Sequence, residues 1–315
     1  MARALIAALL IVAVVIGGYT SYTHHQTSGE SDRTEHASSD LASVDRFVDV
    51  AGATIRVRDE GPKDAPTLLM LHGFTFSLES WNQVAAELVG DYRIVRYDLL
   101  GHGLSGPDPQ QRYAPTERAA FLGEVIQALE LENPVLLGNS LGGLVSWRFA
   151  AENPDSVRAL VLVSPGAFPF NGVGNEPAAV PATVSFFMHH PNKATVQATF
   201  ENVYGSAATA SEERVETTLA MMRGNGQAYV ESLEEFTLPD PEADLKKLTA
   251  PTLIIWGEED ALIPPSDGPK MQSLIPSAKL LNYPSVGHVA QEEMPERLAN
   301  DIRAFLAPSL SGVNE

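Results

Sequence analysis

The sequence predicts an α/β fold, a mainly parallel sheet with helices on both faces. Three observations predict it. From Val44 onward, short β-branched runs alternate with longer helical stretches, the rhythm of strands joined by helical crossovers. One of those runs, Pro134 to Leu137, leads into Gly138-Asn139-Ser140-Leu141-Gly142 and then a helix-forming stretch. The rhythm stops between Ser164 and Ala250, where Pro, Asn, Phe and Met become frequent, and resumes at Pro251.

Taken in order, Asp45 to Asp59 reads as a hairpin turning at Ala51-Gly52, and Thr67 to Leu71 as a buried strand. Leu78 to Val89 reads as a helix and Tyr92 to Tyr97 as a strand. Thr116 to Leu131 has an apolar helical face at Ala119, Leu122, Ile126 and Leu129. Strand Pro134 to Leu137, helix Leu141 to Glu152 and strand Ala159 to Val163 follow. After the break come strand Pro251 to Trp256, an element at Met271 to Leu274, strand Lys279 to Tyr283 and helix Glu293 to Leu306. The interruption, about 165–250, reads as an inserted helical cap with one helix at Glu212 to Met222. Its Phe168, Phe170, Phe186, Phe187 and Met188 are candidates for a cavity lining, although apolar residues of a helical insert more often form the insert's own core.

The composition bounds the partners. The chain of 315 residues is 44% hydrophobic, enough for a packed core, and carries a formal charge of -19 from 40 acidic and 21 basic residues. That charge repels a nucleic-acid backbone or an anionic membrane surface. There is no cysteine, so disulfides, thiolate metal sites and a cysteine nucleophile are excluded. Arg3 precedes an uncharged apolar run from Ala4 to Gly18. Residues 1–22 therefore read as a signal peptide or a membrane anchor, and 23–43, rich in Ser, Thr, His and charge, as a flexible tether. Either reading exports the rest of the chain, as a membrane-anchored, periplasmic or secreted protein.

The chemistry is concentrated in three loops at strand ends. A G-x-S-x-G run between strand and helix is a nucleophile elbow, in which a sharp turn exposes the serine and leaves room only for small flanking residues. Ser140 is the expected nucleophile. A serine hydroxyl needs a base and an acid that orients it. Strand Thr252 to Trp256 runs into Gly257-Glu258-Glu259-Asp260, and strand Lys279 to Tyr283 into Pro284-Ser285-Val286-Gly287-His288. Asp260 and His288 are the expected acid and base. The other histidines lack this placement: His24, His25 and His36 fall in the tether, His189 and His190 in the cap. His72 is expected to tie its loop by hydrogen bonds.

Together with His72-Gly73-Phe74 and Asp98-Leu99-Leu100-Gly101-His102-Gly103-Leu104-Ser105, these motifs resemble the α/β-hydrolase superfamily over Val44 to Pro308. The similarity is closest to its capped branch of carboxylesterases, lipases, carbon–carbon bond hydrolases, cofactor-free haloperoxidases, epoxide hydrolases and haloalkane dehalogenases. The last two use an aspartate nucleophile, and Ser140 argues against both. The resemblance implies a mostly parallel eight-stranded sheet, no cofactor and no metal, and oxyanion donors at the backbone N–H groups of Leu141 and Phe74. The Asp98 to Ser105 stretch reads as scaffold beside the site.

The expected substrate is a small-molecule carboxylic ester, cleaved through an acyl-enzyme. Two alternatives stand beside it: a carbon–carbon bond hydrolase of the meta-cleavage type, and a ligand receptor without turnover. The carbon–carbon hydrolases usually have a longer, more glycine-rich oxyanion loop than His72-Gly73-Phe74-Thr75-Phe76, and they need polar or cationic groups to hold a substrate carboxylate and guide ketonisation. Between Ser164 and Ala250 the basic residues are Lys193, Arg214, Arg223, Lys246 and Lys247, none in a recognisable carboxylate motif. An uncharged ester with an apolar acyl group is therefore expected, with activity rising above about pH 7, where a free imidazole is neutral.

Overall fold

A computed structural model describes residues 45–310; the expected leader and tether, within 1–44, and residues 311–315 lie outside the described residues. The chain opens with β1 (Asp45–Val50) and β2 (Ala53–Glu60), an antiparallel hairpin. Its turn residues Ala51 and Gly52 take φ of 44° and 82°, the left-handed pair that matches the twist of two flanking strands. Then come β3 (Thr67–Leu71), a 3-10 turn (Leu78–Trp81), α1 (Asn82–Leu88), β4 (Arg93–Tyr97), α2 (Pro115–Ala128), β5 (Val135–Asn139), α3 (Leu141–Glu152) and β6 (Ala159–Val163). Five helices follow without a strand: α4 (Ala182–His189), α5 (Lys193–Val203), α6 (Glu212–Met222), α7 (Gly226–Glu234) and α8 (Glu242–Leu245). The chain returns to the sheet with β7 (Thr252–Gly257), α9 (Asp267–Leu274), β8 (Ala278–Tyr283), α10 (Ala290–Glu293) and α11 (Pro295–Leu310).

The eight strands form one sheet in the order β1-β2-β4-β3-β5-β6-β7-β8. From β4 to β8 every pairing is parallel, and only the β1-β2 hairpin and its junction with β4 are antiparallel. Alternate residues of the central strands supply two cores. Leu69 and Leu71 of β3 join Leu122 and Val125 of α2 and Leu144 and Trp147 of α3 on one face. Leu68 and Met70 join Val84 and Leu88 of α1 and Leu298 and Ile302 of α11 on the other. This period-2 division is what a sheet covered on both faces requires. A third cluster, with Val184, Val196, Phe200, Val215 and Leu219, is the insert's own core, and it reaches the sheet domain through Phe76 and Val289.

The 78–89 helix is split in the structure. Leu78–Trp81 is a tight 3-10 turn because the Leu78 N–H is taken by Asp98 Oδ1 (2.8 Å), which fixes the chain before α1 begins at Asn82. Among the described residues no helix is long and apolar enough to cross a membrane.

Candidate active site

The carboxyl ends of parallel strands leave a crevice where loops meet, and there this fold gathers its reactive groups. Ser140 sits between β5 and α3 with φ 54° and ψ -116°. That strained conformation is held by the flanking glycines: a Cβ on Gly138 would meet Gly142 O at 2.4 Å, and one on Gly142 would meet Leu71 O at 2.4 Å and His72 O at 2.6 Å. Any larger residue would separate the elbow from β3, so the expected steric reason for the two glycines is met.

Asp260 and His288 come together from the loops after β7 and β8. His288 Nδ1 lies 2.8 Å from Asp260 Oδ2, with both side chains buried. Asp260 Oδ1 accepts the N–H groups of Leu262 and Ile263, each at 2.9 Å, so one carboxylate oxygen orients the loop while the other faces the ring. His288 Nε2 is buried and has no hydrogen-bond partner among the described residues, and both His288 and Ser140 line one cavity. A carboxylate on Nδ1 fixes the tautomer that leaves Nε2 as acceptor, the state in which an imidazole can take a hydroxyl proton.

The backbone of His288 is clamped from two directions. Its N–H donates to Val203 O at the end of α5 (2.6 Å), and its carbonyl accepts from Asn139 Nδ2 (3.0 Å). Asn139, the residue before Ser140, thus ties His288 to the elbow; the sequence reading gave it no role, its only signal being its place inside the motif. Glu293 also escaped that reading. Its carboxylate accepts from Gly287 N (2.9 Å) and from Gly205 N in the insert (2.7 Å), and burial raises its pKa. Glu259, one of the acids adjoining Asp260, is exposed and bonds to Ser206 N and Oγ at 2.7 and 2.9 Å instead of His288.

The loop after β3 lies against Ser140: a Cβ on Gly73 would meet Asn139 Oδ1 at 2.9 Å and Ser140 Cβ at 3.2 Å. The Phe74 N–H has no acceptor among the described residues, and the Leu141 N–H opens α3, where first-turn donors lack intrahelical partners. His72 is fully buried, with Nδ1 2.7 Å from Gly73 O and Nε2 accepting the Leu99 N–H at 2.9 Å, so it ties the loop to the chain after β4. Burial lowers its pKa to about 4. Asp98 receives the N–H groups of Leu78 and Leu104, both at 2.8 Å, and burial, with Glu79 nearby, raises its pKa to about 6. The Asp98 to Ser105 stretch therefore braces the segment after β3, at His72 and at Leu78.

The cavity measures about 290 Å³ and has a mainly apolar wall. Of the aromatic and Met candidates, Phe170, Phe187 and Met188 line it; Phe168 packs against the sheet core and Phe186 is 51% exposed. None of the insert's five basic residues lines it. Arg214 is bonded to Glu292 through Nε and Nη2 (both 2.8 Å), and Lys193, Lys246 and Lys247 pair with acids on the surface. A cation does line the cavity, but it comes from α2: Arg118, outside the stretch in which such a group was sought.

Residues 66–295 match the family described as the α/β hydrolase fold. Lipase 3 of Moraxella sp. is 30% identical over 246 residues, covering 76% of this chain and 76% of that protein. A non-heme chloroperoxidase of Streptomyces lividans is 29% identical over 272 residues, 81% of this chain and 96% of the other. Among solved structures, a carboxylesterase from Bacillus subtilis superposes with a TM-score of 0.72 at 18% identity, covering 99% of this chain and 100% of that one.

Proposed function

The chain belongs to the α/β-hydrolase family, and from that premise we propose that it is a serine hydrolase cleaving carboxylic esters through an acyl-enzyme. The observation that carries the proposal is the His288–Asp260 contact, which leaves Nε2 free in the cavity that Ser140 enters. In this reading His288 takes the Ser140 proton as the hydroxyl attacks the ester carbonyl, and Asp260 stabilises the imidazolium that forms. The Leu141 and Phe74 N–H groups receive the oxyanion. His288 then gives the proton to the leaving alcohol, and a water repeats the sequence to release the acid.

The cavity wall, with Phe170, Phe187 and Met188, suits an apolar segment of substrate, and the insert acts as a cap that determines what fits. Export through the N-terminal apolar run is part of the same proposal and fits a role on external esters.

The test compares initial rates on p-nitrophenyl esters with those on a ring-cleavage dienoate. Higher kcat/KM on the esters, with steady turnover, is the expected result. A preference for the dienoate would replace ester hydrolysis by carbon–carbon cleavage, and one slow turnover that leaves the protein modified would mark a receptor.

A further inference from the structure

Arg118 is a buried cation that, among the described residues, forms no ion pair. Among the described residues five arginines are buried: Arg56, Arg58, Arg96, Arg118 and Arg148. Arg56 and Arg58 share Asp45 and Glu79, Arg96 meets Glu60, and Arg148 lies 3.9 Å from Asp244. Among the described residues no carboxylate comes within 4.0 Å of Arg118, although its side chain is as deeply placed as theirs, 3% exposed. Its protein partners are neutral: Nε donates to Tyr113 O (3.0 Å), Nη1 to Leu100 O (2.8 Å) and Nη2 to Ser232 Oγ (2.8 Å). A guanidinium has five N–H donors, so two remain, one on each terminal nitrogen.

Arg118 and Ser232 both line the cavity that Ser140 enters, in a wall otherwise mainly apolar. A lone buried charge is costly, and the cost falls when a counter-ion enters its site. The two terminal nitrogens are the geometry that a carboxylate accepts in bidentate fashion. The group remains charged at neutral pH, since burial lowers its pKa only to about 10.

Building on the ester-hydrolase reading, we propose that the substrate carries a carboxylate remote from the scissile bond, and that Arg118, backed by Ser232, receives it at the cavity wall. The apolar residues then hold the methylene chain between the two ends. The substrates are half-esters of dicarboxylic acids or esters of hydroxy acids, according to which side of the bond occupies the cavity.

The experiment has two parts. Half-esters (mono-p-nitrophenyl glutarate, adipate and suberate) are compared with p-nitrophenyl pentanoate, hexanoate and octanoate; acetyl esters of ω-hydroxy acids, followed by pH-stat, cover the other orientation. The expected result is at least about a tenfold advantage in kcat/KM for the carboxylate-bearing member at one chain length, the size of one charge-assisted contact. Arg118→Met removes the advantage, read as the ratio of kcat/KM on the half-ester to that on the neutral ester of the same length, and Ser232→Ala, which leaves the two carbonyl contacts of Arg118 in place, reduces it. In parallel, calorimetry on Ser140→Ala measures binding of monomethyl adipate against methyl hexanoate, with Ser140→Ala/Arg118→Met as control. Equal or better rates on neutral esters at every length, with no Arg118-dependent binding of monomethyl adipate, overturn the proposal. No turnover of either ester type with that binding intact would overturn the ester reading and leave the carboxylate site standing. If Arg118→Met does not fold, the wild-type preference and Ser232→Ala decide.

Discussion

Lowering the pH should destabilise this protein through His72 before the bulk of its carboxylates titrate. Both ring nitrogens are committed in the neutral form: Nδ1 to Gly73 O, and Nε2 as acceptor of the Leu99 N–H. A proton on Nε2 would face that N–H in a fully buried site. The folded pKa of about 4 against an ordinary value of 6.5 means that between those values the unfolded chain binds more protons. Stability contributed by neutral His72 is therefore complete above pH 6.5 and is lost as the pH falls toward 4. From these two pKa values the loss is about 2 kcal/mol at pH 5 and about 3 kcal/mol at pH 4. His102 adds to it in the same sense, since its ring is buried 5.4 Å from that of His72 and its pKa is also lowered by burial.

His72→Gln isolates the effect, because a Gln side chain can still accept from Leu99 N–H but cannot take a proton in this range. Urea unfolding is followed by fluorescence of Trp81, Trp147 and Trp256, all fully buried, at pH 7.5, 6 and 5. The variant is expected to be less stable at pH 7.5, yet to lose about 2 kcal/mol less than the wild type on going to pH 5. Parallel losses in the two proteins would refute the assignment of a buried neutral His72, whatever their absolute stabilities.

Ser140→Ala is expected to lower ester turnover by several orders of magnitude with an unchanged unfolding midpoint; more than about a tenth of wild-type turnover would remove Ser140 from the role. Asp260→Asn should cost about 10⁴-fold in kcat, by allowing the wrong imidazole tautomer, while Glu258→Gln, at an exposed side chain, stays near wild type. The reverse order would shift the acid within its loop. Deletion of residues 1–40 should leave a soluble, active protein, since the sheet begins at Asp45, and insolubility of the truncated chain would count against this. N-terminal sequencing of the full-length protein from its host then separates an anchor from a cleaved signal.

Strand placement was legible because burial on both faces writes continuous apolar runs into β3, β5, β6 and β7, and turn residues bound them. The elbow was legible because its steric demand falls on residues adjacent in sequence. What escaped depends on packing between distant segments. The 3-10 start at Leu78 follows from Asp98, twenty positions away. Which insert aromatics face the cavity follows from how α4 lies on its neighbours, and the helical period alone does not distinguish Phe187 from the exposed Phe186 as a cavity wall. Arg118 adjoins the apolar face read at Ala119 and Leu122, where an arginine ordinarily extends to solvent. Its burial is fixed by carbonyls of Leu100 and Tyr113 and by Ser232, three positions that no local pattern connects.

The same contacts make the insert part of the reactive site as well as its covering. Four contacts of one segment converge beside His288: α5 ends at Val203, whose carbonyl takes the His288 N–H; Ala207 N–H donates to Ser285 O; Gly205 and Gly287 share Glu293; and Ser206 holds Glu259, next to Asp260. An insert that merely covered the cavity could exchange freely among relatives of the fold, but this one supplies the acceptor that fixes the base's own backbone. A change confined to Val203–Ala207 should therefore disturb the His288–Asp260 contact as much as a change in either loop, whereas Phe187 and Met188 on α4 line the cavity and hold no hydrogen bond to that pair. Val203 at the end of α5 both lines the cavity and holds the His288 N–H, so a change there reaches the cavity wall and the His288–Asp260 pair together.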